Sequence, residues 1–324
     1  MNHNVNCNRV RIVSTGSYVP RNIVTNEELE ARVSKTSAAW TEANLGVKER
    51  RVAAKDEFAS DLAVAAARGA LEKGGIGADT IDLIIVATAT PDRKAPSTAA
   101  IVHRKLGLKS ESAAFDIAAV CSGFVYGATI GAQFIQSGMF ERVLVIGVDT
   151  FSKITDWTSR SCVFFGDGAG AVILDVNPSG DSLFIGQLYA AGYGVDSFTV
   201  YPHDATFTMD GRAVFETATR VLPEAISRTL AENGLTMNDV RHFFFHQASL
   251  RVLKETAARL GLPMSKLHTN MQTYANTAGA TVPLLLDEIA ASGQIGDGDL
   301  VVMATVGSGW TWGTILYRWQ SLHQ

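Results

Sequence analysis

The chain has 324 residues, 47% of them hydrophobic and 19% charged, with 29 glycines, which excludes a disordered or collagen-like protein. Its formal net charge is −4, and the sequence has no long run of acidic or basic residues. Because no basic face is concentrated anywhere, we expect no nucleic-acid partner. The length is about twice what one ordinary core needs, which favours two domains or two fused halves. Three cysteines (Cys7, Cys121 and Cys162) form neither an even set nor a CxxC pair, so we expect neither disulfides nor structural zinc.

Two features of the sequence bear on its location. Each apolar run, such as Leu83–Ala87, is far shorter than the roughly 20 residues that a membrane helix needs. The first ten residues are polar and lack the apolar region of a signal peptide. We therefore expect a cytoplasmic protein that does not bind membranes.

In chain order, helix-like and strand-like segments alternate, and the second half repeats the landmarks of the first. A helix that ends at Gly75, a turn and a buried strand recur around Gly234. Further landmarks recur at offsets of 154 to 156 residues: Gly107 with Gly261, Gly138 with Gly293, and Leu144–Ile146 with Leu300–Val302. This order indicates a duplicated chain, and chance similarity of two α/β units is the alternative.

The duplication predicts the fold class. Alternating strands and helices indicate a mostly parallel sheet with right-handed crossovers. The strand that follows Asp82 is apolar along its length, so both faces of that sheet should be covered. We predict an α/β protein whose halves, at 1–180 and 181–324, pack as a five-layer αβαβα sandwich about a pseudo-twofold axis.

Two glycine-rich segments are predicted to be turns between strands, at Phe165–Gly168 and at Val306–Gly309. The run Gly166–Gly170 is similar to a dinucleotide-binding fingerprint, but strand-like residues flank it on both sides, which favours a hairpin turn. His242 and His246 have the spacing of a helical zinc pair. Because they lie on a predicted strand, that spacing separates them by about 13 Å, and a zinc site is not expected.

The repeat also predicts a site. An offset of 155 residues carries Cys121 onto Asn276, and both precede a helix rich in small residues. His246 ends a strand, at the sheet edge where α/β proteins usually bind ligands. We therefore expect a thiol, an imidazole and an amide to converge on one cleft.

The chemistry of these groups suits nucleophilic catalysis. A helix N-terminus stabilises anions, so we expect a lowered thiol pKa at Cys121. His246 and Asn276 can donate hydrogen bonds to an oxygen that gains negative charge. The alternative is a buried, inert cysteine with a satisfied core histidine. Cys162 is predicted to be a core residue, and Cys7 to be incidental.

Taken together, these segments resemble the β-ketoacyl-acyl carrier protein synthases III, which are thiolase-fold condensing enzymes. The resemblance covers nearly the whole chain and rests on DIAAVCSGFVYG around Cys121, FFGDGAGAVIL at 164–174, FFHQASLR around His246, YANTAGATVP around Asn276 and GSGWTWG at 307–313. It implies thiolase-like βαβαβαββ halves, a homodimer and an acyltransferase without a metal or redox cofactor.

The resemblance also implies a role for each site residue. Cys121 would carry the acyl group as a thioester, while His246 and Asn276 bind the malonyl thioester oxygen during loss of carbon dioxide. The backbone N–H groups of Cys121 and Ser308 would form the oxyanion hole for acyl transfer. Acyl carrier protein and an acyl-CoA or acyl-carrier donor are the implied partners. The implied substrate contacts are Trp40, Ala95, Arg160, Gly211, Ala248 and Arg251.

Related enzymes differ from this chain at comparable positions. Thiolases carry a second cysteine in the C-terminal glycine loop, which here is Gly307–Gly309. Elongating synthases use two histidines, whereas the third group here is Asn276. Plant-type polyketide synthases share the three residue types but are usually longer. These differences favour a synthase III or a specialised relative of it.

Several positions depart from the family pattern. Asn44 stands where an arginine holds adenine, Glu216 stands where a basic residue is usual, and Ser249 replaces an asparagine. Ala95 stands where some acetyl-specific members carry an aromatic residue that reaches the acyl pocket of the partner. These changes weaken the case for acyl-CoA as the only donor and for acetyl as the acyl group. The alternatives are fatty-acid initiation, a specialised condensing enzyme, an ester- or amide-forming acyltransferase and a catalytically silent scaffold.

Overall fold

The computed structural model describes residues 5–109, 111–201 and 204–320. The strands are β1 (Val5–Cys7), β2 (Val10–Tyr18), β3 (Asn22–Thr25), β4 (Glu49–Val52), β5 (Leu83–Ala87), β6 (Ala113–Ile117), β7 (Arg142–Thr150), β8 (Asp167–Val176), β9 (Phe184–Gly194), β10 (Phe198–Thr199), β11 (Thr208–Met209), β12 (His242–Phe245), β13 (Leu300–Gly307) and β14 (Gly309–Arg318). The α-helices are α1 (Asn26–Arg32), α2 (Ala38–Leu45), α3 (Ala59–Gly74), α4 (Thr98–Leu106), α5 (Gly123–Gln136), α6 (Gly211–Glu232), α7 (Leu250–Leu260), α8 (Met271–Tyr274) and α9 (Thr281–Ala291).

Two five-stranded sheets organise the chain. The first has the order β2-β8-β7-β5-β6, in which β5 pairs in parallel with β6 and β7, and β8 pairs antiparallel with β7 and β2. The second has the order β1-β9-β14-β13-β12, with β12 and β13 parallel and the other pairs antiparallel. The strand order of the second sheet from β9 to β12 thus repeats that of the first from β2 to β5.

The helices complete five layers. Helices α3 and α4 cover the outer face of the first sheet, and α6 covers the outer face of the second with α7 against it. Helices α5 and α9 lie between the sheets, where Phe124, Val125, Leu285 and Leu286 belong to one buried core with strands of both sheets. The five-layer αβαβα prediction is confirmed.

The duplication is visible in the backbone. The helices that end near Gly75 and Gly234 both turn through a left-handed glycine, with φ of 60° and 68°. Short 3₁₀ turns at Val120–Ser122 and Ala278–Ala280 precede α5 and α9, which occupy equivalent positions in the central layer. The two halves therefore place their central helix N-termini alike.

The halves differ at their edges. The first half follows the predicted βαβαβαββ order, whereas in the second half the third strand is reduced to an isolated bridge between Phe243 and Leu267. Strand β1 leaves the first half and pairs with β9 of the second sheet. The division at residue 180 falls between β8 and β9 and stays a prediction.

One glycine-rich segment differs from its prediction. Val306–Gly309 forms the tight connection between β13 and β14, as expected, but residues from Asp167 onward already belong to β8. The glycines there serve packing, because a Cβ on Gly170 would lie 2.4 Å from the backbone nitrogen of Leu284 in α9. The predicted hairpin turn at 166–170 is wrong, although no helix follows this segment.

The cysteines outside the predicted site are both buried. Cys162 is 1% exposed, so its core assignment is confirmed. Cys7 is fully buried on β1, and Gln133 of α5 donates a hydrogen bond to its sulfur at 2.7 Å. Pairing of β1 with β9 carries Cys7 into the core, and its interpretation as incidental to function stays a prediction. Residues 1–4 of the polar N-terminus lie outside the described residues.

Within the described ranges, no helix combines the length and apolar character needed to cross a membrane.

Candidate active site

A cavity of about 800 Å³ lies at the N-termini of the two central helices. Cys121, His246, Asn276 and Ser308 all line it. No side chain caps the first turn of α5 or of α9. The structure thus brings together the four residues that the sequence singles out for catalysis.

Cys121 lies in the 3₁₀ turn that leads into α5, against the loop between β13 and β14. A Cβ on Gly307 would lie 2.7 Å from the carbonyl oxygen of Ala119 and 3.1 Å from the backbone nitrogen of Cys121. Only glycine permits this approach, which brings the Ser308 loop beside the nucleophile turn.

The thiol of Cys121 is less acidic than expected. Burial is the larger cause and the carboxylate of Asp149 the smaller, and together they raise the pKa of the Cys121 thiol above its ordinary value. The stabilisation that a helix N-terminus gives to an anion does not offset these two effects. The expected lowering of the thiol pKa is therefore wrong.

Asp149, at the end of β7, is a buried carboxylate beside this turn. Its Oδ1 accepts hydrogen bonds from the Ala89 N–H at 2.8 Å and from the Thr88 and Thr90 hydroxyls at 3.2 and 3.0 Å. Its Oδ2 accepts from the Gly279 N–H at 2.9 Å, which ties β7 to the turn before α9. Burial raises the pKa of Asp149 to about 7.

His246 follows β12, and its backbone N–H donates to Ala304 of β13 at 2.9 Å. The side chain is 3% exposed, and burial lowers the pKa of the imidazole to about 3, so the ring is neutral at physiological pH. Its Nδ1 lies 2.8 Å from the hydroxyl oxygen of Thr281. The ring nitrogen available to a ligand is therefore Nε2.

Asn276 precedes the 3₁₀ turn at 278–280. Its Oδ1 accepts a hydrogen bond from the Ala278 N–H at 2.8 Å, which fixes the orientation of the amide. The Nδ2 group is consequently the end of the side chain that can donate to a molecule in the cavity.

Aromatic rings form the inner wall of the cavity. Phe165, Phe198 and Phe207 line it, with the Phe198 and Phe207 rings stacked at 5.2 Å between centroids and Phe165 against Phe207 at 5.0 Å. The Ser308 hydroxyl donates to the Phe198 carbonyl at 2.7 Å, which joins the glycine loop to this wall. The wall suits an apolar group attached to the sulfur of Cys121.

The outer part of the cavity carries the predicted substrate contacts Trp40, Arg160, Gly211, Ala248 and Arg251. The guanidinium of Arg160 lies 4.1 Å from the centroid of a Trp40 ring, and that of Arg251 lies 5.2 Å from the ring of Phe215. Both arginines therefore hold positive charge against aromatic faces at the cavity entrance.

Two sequence departures also lie near this entrance. The side-chain amide of Asn44 donates to the carbonyl of Trp40 at 2.9 Å, within α2. Glu216 accepts from Arg212 at 2.7 Å on an exposed face of α6, where the two side chains are 60% and 87% exposed. At this entrance the charge of Arg212 is therefore paired with a carboxylate, whereas Arg160 and Arg251 face aromatic rings.

Ala95 stands apart from the other predicted contacts. It does not line the cavity of its own chain, and neither does His103, whereas Phe198 does. Its position within one chain does not test the prediction that Ala95 reaches the acyl pocket of a second copy.

His242, the other histidine of the predicted strand, takes part in a separate cluster. His242 Nδ1 lies 2.9 Å from His268 Nε2, and His242 Nε2 lies 3.1 Å from Asp299 Oδ2. In the part of the chain that the structure describes, no group of three or more His, Cys, Asp or Glu residues could hold a metal ion.

Sequence reasoning missed Asp149, Thr281 and most of the aromatic wall. An aspartate at the end of the apolar strand RVLVIGVDT was a usable signal for the first. Thr281 follows Asn276 by five residues, and only the three-dimensional arrangement brings it to His246.

Comparison with known proteins identifies the family. Models described as 3-oxoacyl-[acyl-carrier-protein (ACP)] synthase III and its C-terminal region match residues 115–192 and 230–319. The β-ketoacyl-[acyl-carrier-protein] synthase III of Thiobacillus denitrificans is 43% identical over 317 residues, covering 95% of this chain and 99% of that protein. The one from Geobacillus kaustophilus is 43% identical, covering 95% and 98%.

Solved structures agree with this assignment. The 3-oxoacyl-[acyl-carrier-protein] synthase III of Aquifex aeolicus has a TM-score of 0.92 and 38% identity, covering 96% of this chain and all of that one. The Pseudomonas aeruginosa enzyme has a TM-score of 0.91 and 34% identity, covering 98% and 100%. The chain belongs to the β-ketoacyl-[acyl-carrier-protein] synthase III family of thiolase-fold condensing enzymes, and it is an acyltransferase.

Proposed function

We propose that this enzyme joins an acyl group held on Cys121 to a malonyl group on acyl carrier protein, as in the initiation of fatty-acid synthesis. The observation that carries the proposal is the shared cavity, where a cysteine, a neutral histidine and an oriented asparagine amide meet beside an apolar wall.

The first half-reaction forms a thioester on Cys121. The sulfur attacks the carbonyl carbon of the donor thioester, the donor sulfur leaves with the thiol proton, and the acyl group remains on the enzyme. The backbone N–H groups of Cys121 and Ser308 would stabilise the tetrahedral oxyanion. The close approach at Gly307, which puts the two loops together, supports this role.

The second half-reaction forms the carbon–carbon bond. Carbon dioxide leaves the malonyl thioester, and His246 Nε2–H with Asn276 Nδ2–H would bind the enolate oxygen that results. The enolate carbon then attacks the acyl carbonyl on Cys121, the carbon–sulfur bond breaks, and the departing thiolate takes up a proton from solvent.

The donor and the carrier would enter past Arg160 and Arg251. An arginine stacked on Trp40 supports binding of a flat or anionic group, whereas Asn44 provides no second guanidinium for a nucleotide. Arg251 suits an acidic carrier protein. Both acyl-CoA and acyl-carrier protein are therefore proposed as donors, with no metal or redox cofactor.

A cytoplasmic homodimer is part of the proposal. Strand β6 is the last strand of the first sheet, and Ala114, Phe115 and Ile117 on it are only partly buried. An apolar edge strand of this kind favours pairing with a second copy.

A specialised condensing enzyme is the second candidate. The priming β-ketosynthase of the R1128 polyketide biosynthetic pathway is 30% identical to this chain, with a TM-score of 0.90 and coverage of 97% of both chains. Asn44 and Ala95 favour this reading, because both changes suit a larger or carrier-bound acyl group.

The test is intact-mass detection of an acyl adduct after incubation with a panel of acyl-CoAs and acyl-carrier proteins. We expect Cys121→Ala to abolish the adduct and Cys162→Ala, a change of the buried cysteine of the same half, to leave it largely intact. An adduct that depends on Cys162 would overturn the site. The chain lengths accepted by the wild type separate the two candidate functions.

A further inference from the structure

Beneath the cavity, the first residue of α9 contacts the catalytic imidazole. Thr281 Oγ1 lies 2.8 Å from His246 Nδ1 and 3.1 Å from the carbonyl oxygen of Ala278. Thr281 is 2% exposed and His246 is 3% exposed, so water does not compete for these contacts. A hydroxyl carries one hydrogen, and only one of the two acceptors can receive it.

The surroundings decide which acceptor receives the hydrogen. The Ala278 carbonyl already accepts the backbone N–H of Thr281, which closes the 3₁₀ turn at 278–280. The Thr281 hydroxyl, in contrast, is the hydrogen-bond partner that the described residues give to Nδ1 of His246. The 2.8 Å contact with Nδ1 has the length of an ordinary hydrogen bond, whereas the 3.1 Å contact with the Ala278 carbonyl is longer than O–H···O bonds usually are. Donation to Ala278 would instead require Nδ1 to carry the ring proton and to donate it to Oγ1 of Thr281.

We propose that Thr281 is a positioning residue whose hydroxyl donates to Nδ1 of His246 and thereby holds the proton of the ring on Nε2. This inference rests on the proposed function, in which Nε2 must donate to the enolate oxygen. A neutral imidazole has one donor nitrogen and one acceptor nitrogen, so the tautomer decides whether the ring can perform that task. With the proton on Nδ1, the same ring would present a lone pair to the enolate and repel it.

The short turn at 278–280 and the residue that follows it would then orient both groups that donate to the enolate oxygen. The Ala278 N–H orients the amide of Asn276, and Thr281, three residues later, orients the proton of His246. Gly279, between them, donates to Asp149 of β7, which anchors the turn to the first sheet.

The experiment compares Thr281→Val with Thr281→Ser. Valine keeps the shape of threonine without the hydroxyl, while serine keeps the hydroxyl. We expect Thr281→Val to form the acyl adduct on Cys121 normally but to release carbon dioxide from malonyl-carrier protein on the order of 10- to 100-fold more slowly, since loss of a whole oxyanion donor costs about 10²- to 10³-fold. Thr281→Ser should restore most of that rate.

A spectroscopic readout separates positioning from general damage. In enzyme labelled with ¹⁵N-histidine, protonated and unprotonated ring nitrogens have well-separated shifts, and His246→Ala identifies the signals. We expect Nε2 to be protonated in the wild type and in Thr281→Ser, and the proton to shift toward Nδ1 in Thr281→Val.

Each outcome bears on one proposal. A wild-type ring protonated on Nδ1, or normal decarboxylation by Thr281→Val, would overturn the role of Thr281. Failure of the wild type to acylate Cys121 would overturn the proposed function instead, and the ¹⁵N measurement, which needs no substrate, would still decide the tautomer.

Discussion

At Cys121, a helix N-terminus and a buried environment act on the thiol in opposite directions. The sequence pattern reveals the helix, because small residues follow Cys121 just as they follow Asn276. It does not reveal the depth of the sulfur or the carboxylate of Asp149, which reaches the site from β7. Residue identities were therefore predictable here, while the electrostatics depended on packing.

Asp149 offers a pH-dependent test of this balance. The pKa of Asp149 is about 7, so above that pH its carboxylate is charged and raises the pKa of the Cys121 thiol. Asp149→Asn removes the charge, and we expect the pH midpoint of Cys121 alkylation by iodoacetamide to move to lower pH.

Asp167→Asn is the matched control for that variant. Asp167 is also a buried carboxylate with a raised pKa, of about 6, and it holds the Ala53 N–H and the Ser152 backbone N–H rather than the nucleophile turn. Its variant should leave the alkylation midpoint in place. Equal shifts in both variants would mean that general loosening, not the Asp149 charge, sets the acidity of the thiol.

At the scale of elements, α9 is seated on strands that carry glycine where the helix approaches. A Cβ on Gly147 would lie 2.2 Å from the carbonyl oxygen of Gly279, and one on Gly170 would lie 2.4 Å from the nitrogen of Leu284. The sequence shows a glycine-rich run at 166–170, and local pattern alone favours a turn there. Only the partner helix, more than 100 residues later, explains the glycines as a packing surface.

Gly170→Ala tests this packing. Because the added methyl group meets helix backbone, which cannot rotate away, we expect the free energy of unfolding to fall by about 1–3 kcal/mol or more. Gly192→Ala on β9 is the control, since a Cβ there meets nothing within 4 Å, and we expect a change within about 0.5 kcal/mol. Urea unfolding midpoints measure both, and equal midpoints would contradict the seating of α9 on β8.

At the scale of the molecule, the duplication predicted two sheets, two central helices and their meeting point. It did not predict that β1 joins the second sheet or that the third strand of the second half shrinks to one bridge at Leu267. Strands at the edge of a sheet have fewer packing constraints than strands at its centre. The two halves therefore resemble each other more closely at the site than at the edges of their sheets.

Ala95 offers a test of the proposed dimer. In one chain it lies outside the cavity, and the resemblance to the family predicts that this position reaches the acyl pocket of a second copy. Each methylene buried in free space is worth about 0.8 kcal/mol, whereas overpacking costs about 1–3 kcal/mol, roughly 5- to 150-fold. We therefore expect Ala95→Phe to suppress transfer of medium or branched acyl groups and to spare acetyl, as measured by acyl adducts on Cys121.

Hybrid dimers locate the effect. When Ala95→Phe and Cys121→Ala are placed on the same copy, only the wild-type copy can be acylated, and a gate that acts across the interface should still exclude long donors. When the two changes are placed on opposite copies, the chain that keeps Cys121 carries Ala95→Phe itself, and its partner keeps Ala95. A gate that acts across the interface should then admit the long donors. Suppression in the second arrangement alone would make the gate internal to one chain. If the wild type already prefers acetyl over butyryl, the acyl pocket is narrow even with alanine at position 95, and the open-pocket hypothesis is wrong. The aromatic wall, where Phe198 and Phe207 stack beside the sulfur, would then limit the chain length.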